Sequence, residues 1–227
     1  MLFSRSARRE DWFFENIYGC DDVKRLLRMA VEANHNCPIL LTGPPASAKT
    51  LFLQSLMKLK DSHFIDCSSA SKSGLVDYVF ENKPKYLLLD ELDKLSRKDQ
   101  TFLLNLMETG IVSETKFNRT RKLEIMTSVF ATSNSVERII PPLKSRFFVV
   151  NLQGYMYEQF YEITVRLLTS DLYNVDEEIA QSTAKAVWRT SRNIRDSIKI
   201  AKMAGSVEDV KWLESTYLDP PRVQRRG

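Results

Sequence analysis

The stretch GPPASAKT, Gly43 to Thr50, narrows most what this chain can fold into. It follows a short apolar run, Ile39-Leu40-Leu41-Thr42, and leads into a helical pattern that runs to about Leu59. A loop of this kind, set between a buried strand and a helix, turns successive backbone N–H groups into one cavity at the positive end of the helix. The phosphate-loop pattern asks for G-x-x-x-x-G-K-[ST], and here Ala48 stands where the second glycine belongs. Because the helix starts at that point, a right-handed backbone is expected to suffice, so that alanine adds only a methyl group. Pro44 and Pro45 carry no N–H, so the donors are expected from Ala46, Ser47, Ala48, Lys49 and Thr50, with Leu51 completing the first turn. Lys49 is expected to reach the outer phosphates, and the Thr50 hydroxyl to join a magnesium shell.

A second signal lies forty residues downstream of Thr50. Tyr86-Leu87-Leu88-Leu89-Asp90-Glu91 reads as an apolar strand that delivers two adjacent carboxylates to its C-terminal end. In an open parallel sheet that edge is where ligands bind. Asp90 is expected to orient a magnesium ion through water, and Glu91 to polarise an attacking water. The plainer alternative is a strand end capped by surface acids.

Around these two motifs the chain alternates strand and helix. Helical spacing covers Asp21 to Asn34, the segment from the loop to about Leu59, Ser71 to Phe80, and Arg97 to Glu108, which Gly110 closes. Further strands are predicted in HFIDC (63–67), MTSVFATSN (126–134) and RFFVVNL (146–152). The alternation predicts an α/β fold with a five-stranded parallel sheet between helices. Beyond Gly154 only helices are predicted: Tyr155 to Thr169, Asp176 to Arg189, Asn193 to Ala204, and Val207 to Ser215. The parse is an α/β domain over 1–153, a small all-helical domain over 154–206, and a C-terminal helix with a basic tail over 207–227.

Composition excludes several classes. With 43% apolar and 27% charged residues the chain has the balance of a globular protein with a sizeable core. No apolar run approaches the roughly 20 residues of a membrane span, and MLFSRSARREDWFF lacks the pattern of a secretory signal. Cys20, Cys37 and Cys67 are scattered, and His35 and His63 form no cluster, so neither a disulfide framework nor a zinc site is expected. A cytoplasmic protein that makes no membrane contact is the expectation. A net charge of +4 does not by itself demand a polyanionic partner.

The ordered set GPPASAKT, LLLDELDKL, ATSN and PPLKSRF resembles the Walker A, Walker B, sensor 1 and arginine-finger elements of AAA+ ATPases. NIYGCDDVKRLL resembles the stretch upstream of Walker A, which implies that Ile17 and Tyr18 line an adenine pocket. RNIRDSIKIAKMA resembles the sensor 2 helix of the lid, with Arg195 as the first choice for the sensor and Arg192 as the second. The resemblance covers about Asn16 to Ala204. It implies a P-loop NTPase that binds ATP and Mg2+ and hydrolyses ATP. Asn134 would be sensor 1, and Arg146 the finger that reaches the nucleotide of a neighbouring subunit. Each also has a plainer reading: Asn134 as a strand-end cap, Arg146 as a surface residue, and either lid arginine paired with an acid on its own helix. A site shared between chains implies a homo-oligomeric ring, expected to be a hexamer, or assembly with a related AAA+ subunit.

IVSETKFNRTRKLEI, between Gly110 and Met126, has apolar ends around a polar turn at Asn118. It resembles the hairpin before sensor 1 in RuvB branch-migration motors and minichromosome-maintenance helicases. That implies DNA as a partner, with Lys116, Arg119, Arg121 and Lys122 as candidates for phosphate contact. A solvated hairpin used in subunit packing is the other reading. Neither the winged-helix domain of the first group nor the N-terminal domain of the second is expected in these 227 residues. Either this core contacts its substrate alone, or a separate adaptor recruits it. Two further readings remain beside a DNA motor: a MoxR-like remodeller of proteins, and a clamp-loader-like assembly subunit.

Overall fold

The computed structural model describes residues 14, 17, 19–33, 35–116 and 119–218. It divides into two compact units, 1–153 and 154–227. In the first unit β1 (Ile39–Thr42), β2 (Ser62–Asp66), β3 (Tyr86–Asp90), β6 (Ser128–Ser133) and β7 (Phe148–Asn151) form one sheet. Its order is β2-β3-β6-β1-β7, with every neighbouring pair parallel. The other two strands, β4 (Ile111–Lys116) and β5 (Arg119–Glu124), pair antiparallel as a separate hairpin.

Alternation along the strands sends side chains to two cores. Leu87, Leu89, Val129, Ala131 and Leu40 face one side. There they meet α3 (Lys72–Asn82) through Leu75, Val76 and Val79, and α4 (Arg97–Thr109) through Phe102, Leu103 and Leu106. Tyr86, Leu88, Phe130, Ile39 and Leu41 face the other side. They pack on α1 (Asp21–Glu32) through Leu27 and Ala30, and on α2 (Lys49–Leu56) through Phe52, Leu53 and Leu56. Those three side chains of α2 are fully buried, which stabilises by about 1.5–3 kcal/mol each and fixes the helix that carries the loop. By the same parity, Asp90 and Thr132 project from β3 and β6 toward the face that α2 covers.

The helix after the loop is shorter than its apolar pattern suggests. The Met57 N–H bonds to both the Leu53 and Gln54 carbonyls, and Lys58 and Leu59 bond three residues back, so the last turn tightens and the α-helix ends at Leu56. Gly110 closes α4 with φ 68°, and a Cβ there would stand 2.8 Å from the Ile125 carbonyl oxygen. The Ile125 N–H donates to the Gly110 carbonyl at 2.8 Å, which locks the base of the hairpin onto the end of α4.

The second unit is helical: α6 (Tyr157–Thr169), α7 (Glu177–Arg189), α8 (Ile194–Met203) and α9 (Val207–Leu213), with a π-helical turn over Glu214–Leu218. Asp176, Asn193 and Ser206 cap α7, α8 and α9 through their side-chain oxygens, which start the helices where the sequence places them. Val210 and Leu213 of α9 join Phe160, Ala186, Val187 and Ile200 in one core. No helix of the described residues is long and apolar enough to cross a membrane.

Candidate functional site

Gly43 follows β1 with φ 148°, and a Cβ on it would lie 2.2 Å from the Leu152 carbonyl oxygen. Only glycine lets the loop leave the strand this close to the chain beyond β7. The loop then closes on itself. Lys49 Nζ donates to the carbonyls of Gly43 at 2.9 Å and Pro44 at 2.6 Å, and to Ser47 Oγ at 3.2 Å. Ser47 Oγ donates to the Pro44 carbonyl at 2.8 Å. Two alanines here adopt the left-handed backbone, and for one of them, Ala48, a right-handed backbone is the expectation from sequence. Ala48 has φ 62° and ψ 7°, and Ala46 has φ 65°. The expectation of an unstrained right-handed Ala48 is therefore corrected. The position that normally carries glycine needs the left-handed region even at the helix start, and alanine sits there at a cost of about 1–2 kcal/mol. The sheet edge and the three buried side chains of α2 hold the loop in place against that strain.

The acidic strand end lies against this loop. Thr50 Oγ1 donates to Asp90, 3.1 Å from each carboxylate oxygen. Its proton is thereby directed at Asp90, and its lone pairs are left for a cation. Glu91 leaves the strand with φ 54° and ψ 49°. Asn134 Nδ2 donates to Glu91 Oε1 at 3.2 Å, so the sensor 1 candidate and the water-polarising candidate are in direct contact. Thr42, Gly43, Asn134, Lys144 and Asn151 help line a cleft of ≈ 410 Å³ beside the loop. It lies where β1 runs between β6 and β7, the crevice in which parallel sheets hold ligands.

The acids at this edge shape the local field. Burial pushes the Cys67 thiol up from 9.0 to about 12, and Asp66, Asp90, Asp93 and Glu91 add to the shift. Cys67 is 1% exposed and stays protonated at neutral pH. A site this negative favours a divalent cation, and the donor set of Thr50 hydroxyl and Asp90 carboxylate is the hard oxygen chemistry that magnesium prefers. With the Lys49 ammonium held inside the loop near this donor set, the residues present fit a magnesium nucleotide.

Sequence reasoning overlooked three residues. Thr132 is buried, donates to Asp90 Oδ1 at 2.5 Å and accepts from the Glu91 N–H at 2.9 Å. Asp93 is also buried, and its Oδ1 accepts from the Asn134 N–H at 3.0 Å. Gln100 is fully buried. Its Nε2 donates to the Leu95 and Arg138 carbonyls at 3.0 Å each, and its Oε1 accepts from the Ile140 N–H at 2.8 Å. These bonds tie α4 to the segment leading into α5 (Pro141–Lys144) and Arg146. Polar residues inside otherwise apolar patterns, such as Thr132 in SVFATS, were the available signal.

The remaining candidates lie elsewhere. Ile17 is buried with Phe14, Leu27 and Phe52, whereas Tyr18 lies outside the described residues. Arg146 is half exposed and forms an ion pair with Glu108 near the end of α4. In the second unit, the Arg192 guanidinium sits 4.7 Å from the centre of the Trp188 ring, and Arg195 is exposed in the first turn of α8. The hairpin is present, and Arg121, one of its four candidates for phosphate contact, is engaged by groups of the protein itself. Its Nε donates to Glu114 Oε2 at 2.9 Å, its Nη2 pairs with Asp77 of α3, and its guanidinium lies 4.2 Å from the centre of the Phe80 ring. The register explains this: Arg121 lies opposite Glu114, on the same side as Val112 and Leu123, while exposed Lys122 lies opposite Ser113 on the other. Lys116 and Arg119 pair at the last rung before the tip.

Comparison with known proteins agrees with this geometry. The chain is similar to the DNA replication licensing factor mcm2 of Xenopus laevis, 28% identical over 150 residues, which cover 53% of this chain and 17% of that protein. It is similar to the replication factor C small subunit of Thermoplasma acidophilum, 22% identical, covering 92% of this chain and 67% of that one. The first curated relatives are much longer, and the chain spans between 17% and 25% of their length. Among solved structures, a point mutant of Thermotoga maritima RuvB superposes with a TM-score of 0.67 at 20% identity, over 88% of this chain and 71% of that one, a likeness of fold. The family model described as "ATPase family associated with various cellular activities (AAA)" matches residues 39–155. That match takes in the loop, the acidic strand end, Asn134 and Arg146, more than half of the chain, and so the chain belongs to the AAA family of ATPases.

Proposed function

We propose that the protein binds ATP with magnesium, hydrolyses it, and works as a ring-forming motor on DNA. The observation that carries the hydrolytic part is the contact between Asn134 and Glu91 beside the Thr50–Asp90 pair. A module that only binds nucleotide needs the second pair but not the first. Lys49 would lie against the outer phosphates, which compete with the Gly43 and Pro44 carbonyls for its ammonium. Thr50 and Asp90 would hold the magnesium ion, and the ion when bound neutralises charge between the outer phosphates. Glu91 Oε1 accepts the Asn134 amide proton, which orients the carboxylate so that it can take a hydrogen bond from the attacking water. Ile17 would back the adenine. Arg146 is assigned to the nucleotide of the next subunit, and Arg195, or else Arg192, is assigned the sensor 2 role.

The DNA part is supported by similarity to proteins whose names place them in DNA replication, and by the basic rung at the hairpin tip. Lys116, Arg119 and Lys122 would meet phosphates without reading bases. The engagement of Arg121 leaves the hairpin less basic than its sequence, and this favours a protein substrate as the second reading. The test is ATP hydrolysis by the purified protein, with and without single- and double-stranded DNA, beside Glu91→Gln. Turnover that rises with DNA and disappears in the variant is the expected result. Turnover that ignores DNA moves the assignment to protein remodelling by way of an adaptor. Nucleotide binding without turnover at any protein concentration overturns the motor and leaves an assembly subunit.

A further inference from the structure

We infer that Thr132 is a positioning residue that sets the two carboxylates of the strand end, an inference that rests on the hydrolytic reading above. In the ladder between β3 and β6 the last paired residues are Leu89 and Ala131, one step short of Asp90 and Thr132. Beyond that step Glu91 turns into the left-handed region, and its N–H can no longer follow the ladder. The Thr132 hydroxyl receives it instead, at 2.9 Å. The same oxygen carries one proton, and that proton goes to Asp90 Oδ1 at 2.5 Å. Asp90 therefore has hydroxyl donors on two sides, Thr132 from the strand and Thr50 from the helix. One buried hydroxyl, 2% exposed, thus fixes the rotation of the metal-side carboxylate and the backbone of the water-side one.

Only a hydroxyl that both donates and accepts can do this. Valine has the same shape, fits the same β-strand, and can do neither. With valine, Asp90 is free to rotate and the Glu91 N–H is left without its acceptor. Misplacement of a catalytic group by about 1 Å is enough to lower turnover roughly a hundredfold. Nucleotide contacts made by Lys49 and the loop backbone do not pass through Thr132 and stay intact.

The test compares Thr132→Val and Thr132→Ser with the wild type in steady-state hydrolysis, binding of a fluorescent ATP analogue, and thermal melting. For valine, kcat falls roughly 10- to 100-fold while KM and analogue affinity change less than about threefold. Serine restores kcat to within about threefold of the wild type, because it returns the hydroxyl without the methyl group. Equal kcat in wild type and valine, or serine no better than valine, overturns the inference. Amide exchange at Glu91 reads the same bond without turnover. Protection in wild type and serine that is lost in valine supports the bond, and equal exchange in all three refutes it. A wild type that shows this protection pattern yet hydrolyses no ATP overturns the motor reading alone.

Discussion

At the C-terminal edge of the sheet, Thr50 bonds to Asp90 and Asn134 bonds to Glu91, and Asn134 also lines the crevice beside the loop. On the hairpin, the arginine expected to face a ligand is taken up by Asp77, Glu114 and the Phe80 ring. Both regions are rich in charge, and both were singled out by their sequence. The difference lies in what sets the direction of each side chain. At the sheet edge, motif spacing fixes the backbone, and the backbone fixes the chemistry. On the hairpin, strand register decides which side faces the body, and two neighbouring lysines and arginines can point opposite ways.

The largest effect that would break this comparison is at Glu91. Glu91→Gln should lower turnover by roughly 10²–10⁴-fold while leaving nucleotide affinity nearly unchanged, as read by single-turnover hydrolysis and titration calorimetry. Next comes the burial of Cys67, to which the strand-end acids add. Cys67 has a raised thiol pKa when folded, so the folded state holds its proton where the unfolded state releases it. Stability should fall by up to about 1.4 kcal/mol per pH unit between 9.0 and about 12, and Cys67→Ala should remove that slope in denaturant titrations. Gly43→Ala meets the Leu152 carbonyl and should cost about 1–3 kcal/mol in the urea midpoint, with loss of nucleotide binding.

The hairpin calls for a paired experiment. Arg121→Ala should speed amide exchange along β4 and β5 without altering the salt dependence of DNA binding. Lys122→Ala should leave exchange unchanged and flatten the slope of affinity against salt by about one phosphate contact. The reverse outcome would return Arg121 to the ligand side. The smallest change is expected at Ala48. Replacement by glycine relieves the left-handed alanine but loosens the unfolded chain, for a net effect within about 1 kcal/mol in thermal melting.

Much of the site was legible because its parts are close in sequence to the elements that place them. GPPASAKT names its own helix and strand, and an apolar run ending in Asp90-Glu91 names its own sheet edge. The five strands, their parallel pairing and the helical second unit follow from periodicity alone. Thr132, Asp93 and Gln100 were not legible, because each works by bonding to a residue about forty positions away across the fold. A threonine in a strand reads as a strand former, and nothing local reveals that its hydroxyl joins two carboxylates.

The sequence by itself determined the order of elements, the loop, and the identity of the groups brought to the sheet edge, since local propensity and short motif spacing carry that information. The tertiary structure alone decided the backbone state of Ala48, the face of the hairpin on which Arg121 lies, and the hydroxyl between Asp90 and Glu91. The first follows from how the loop closes on itself through Lys49, and the other two from what each residue meets across the sheet or on a neighbouring helix: a carboxylate on α3, a proton acceptor one strand away. A chain read in one dimension specifies which groups are available, and packing specifies which of them remain free to act.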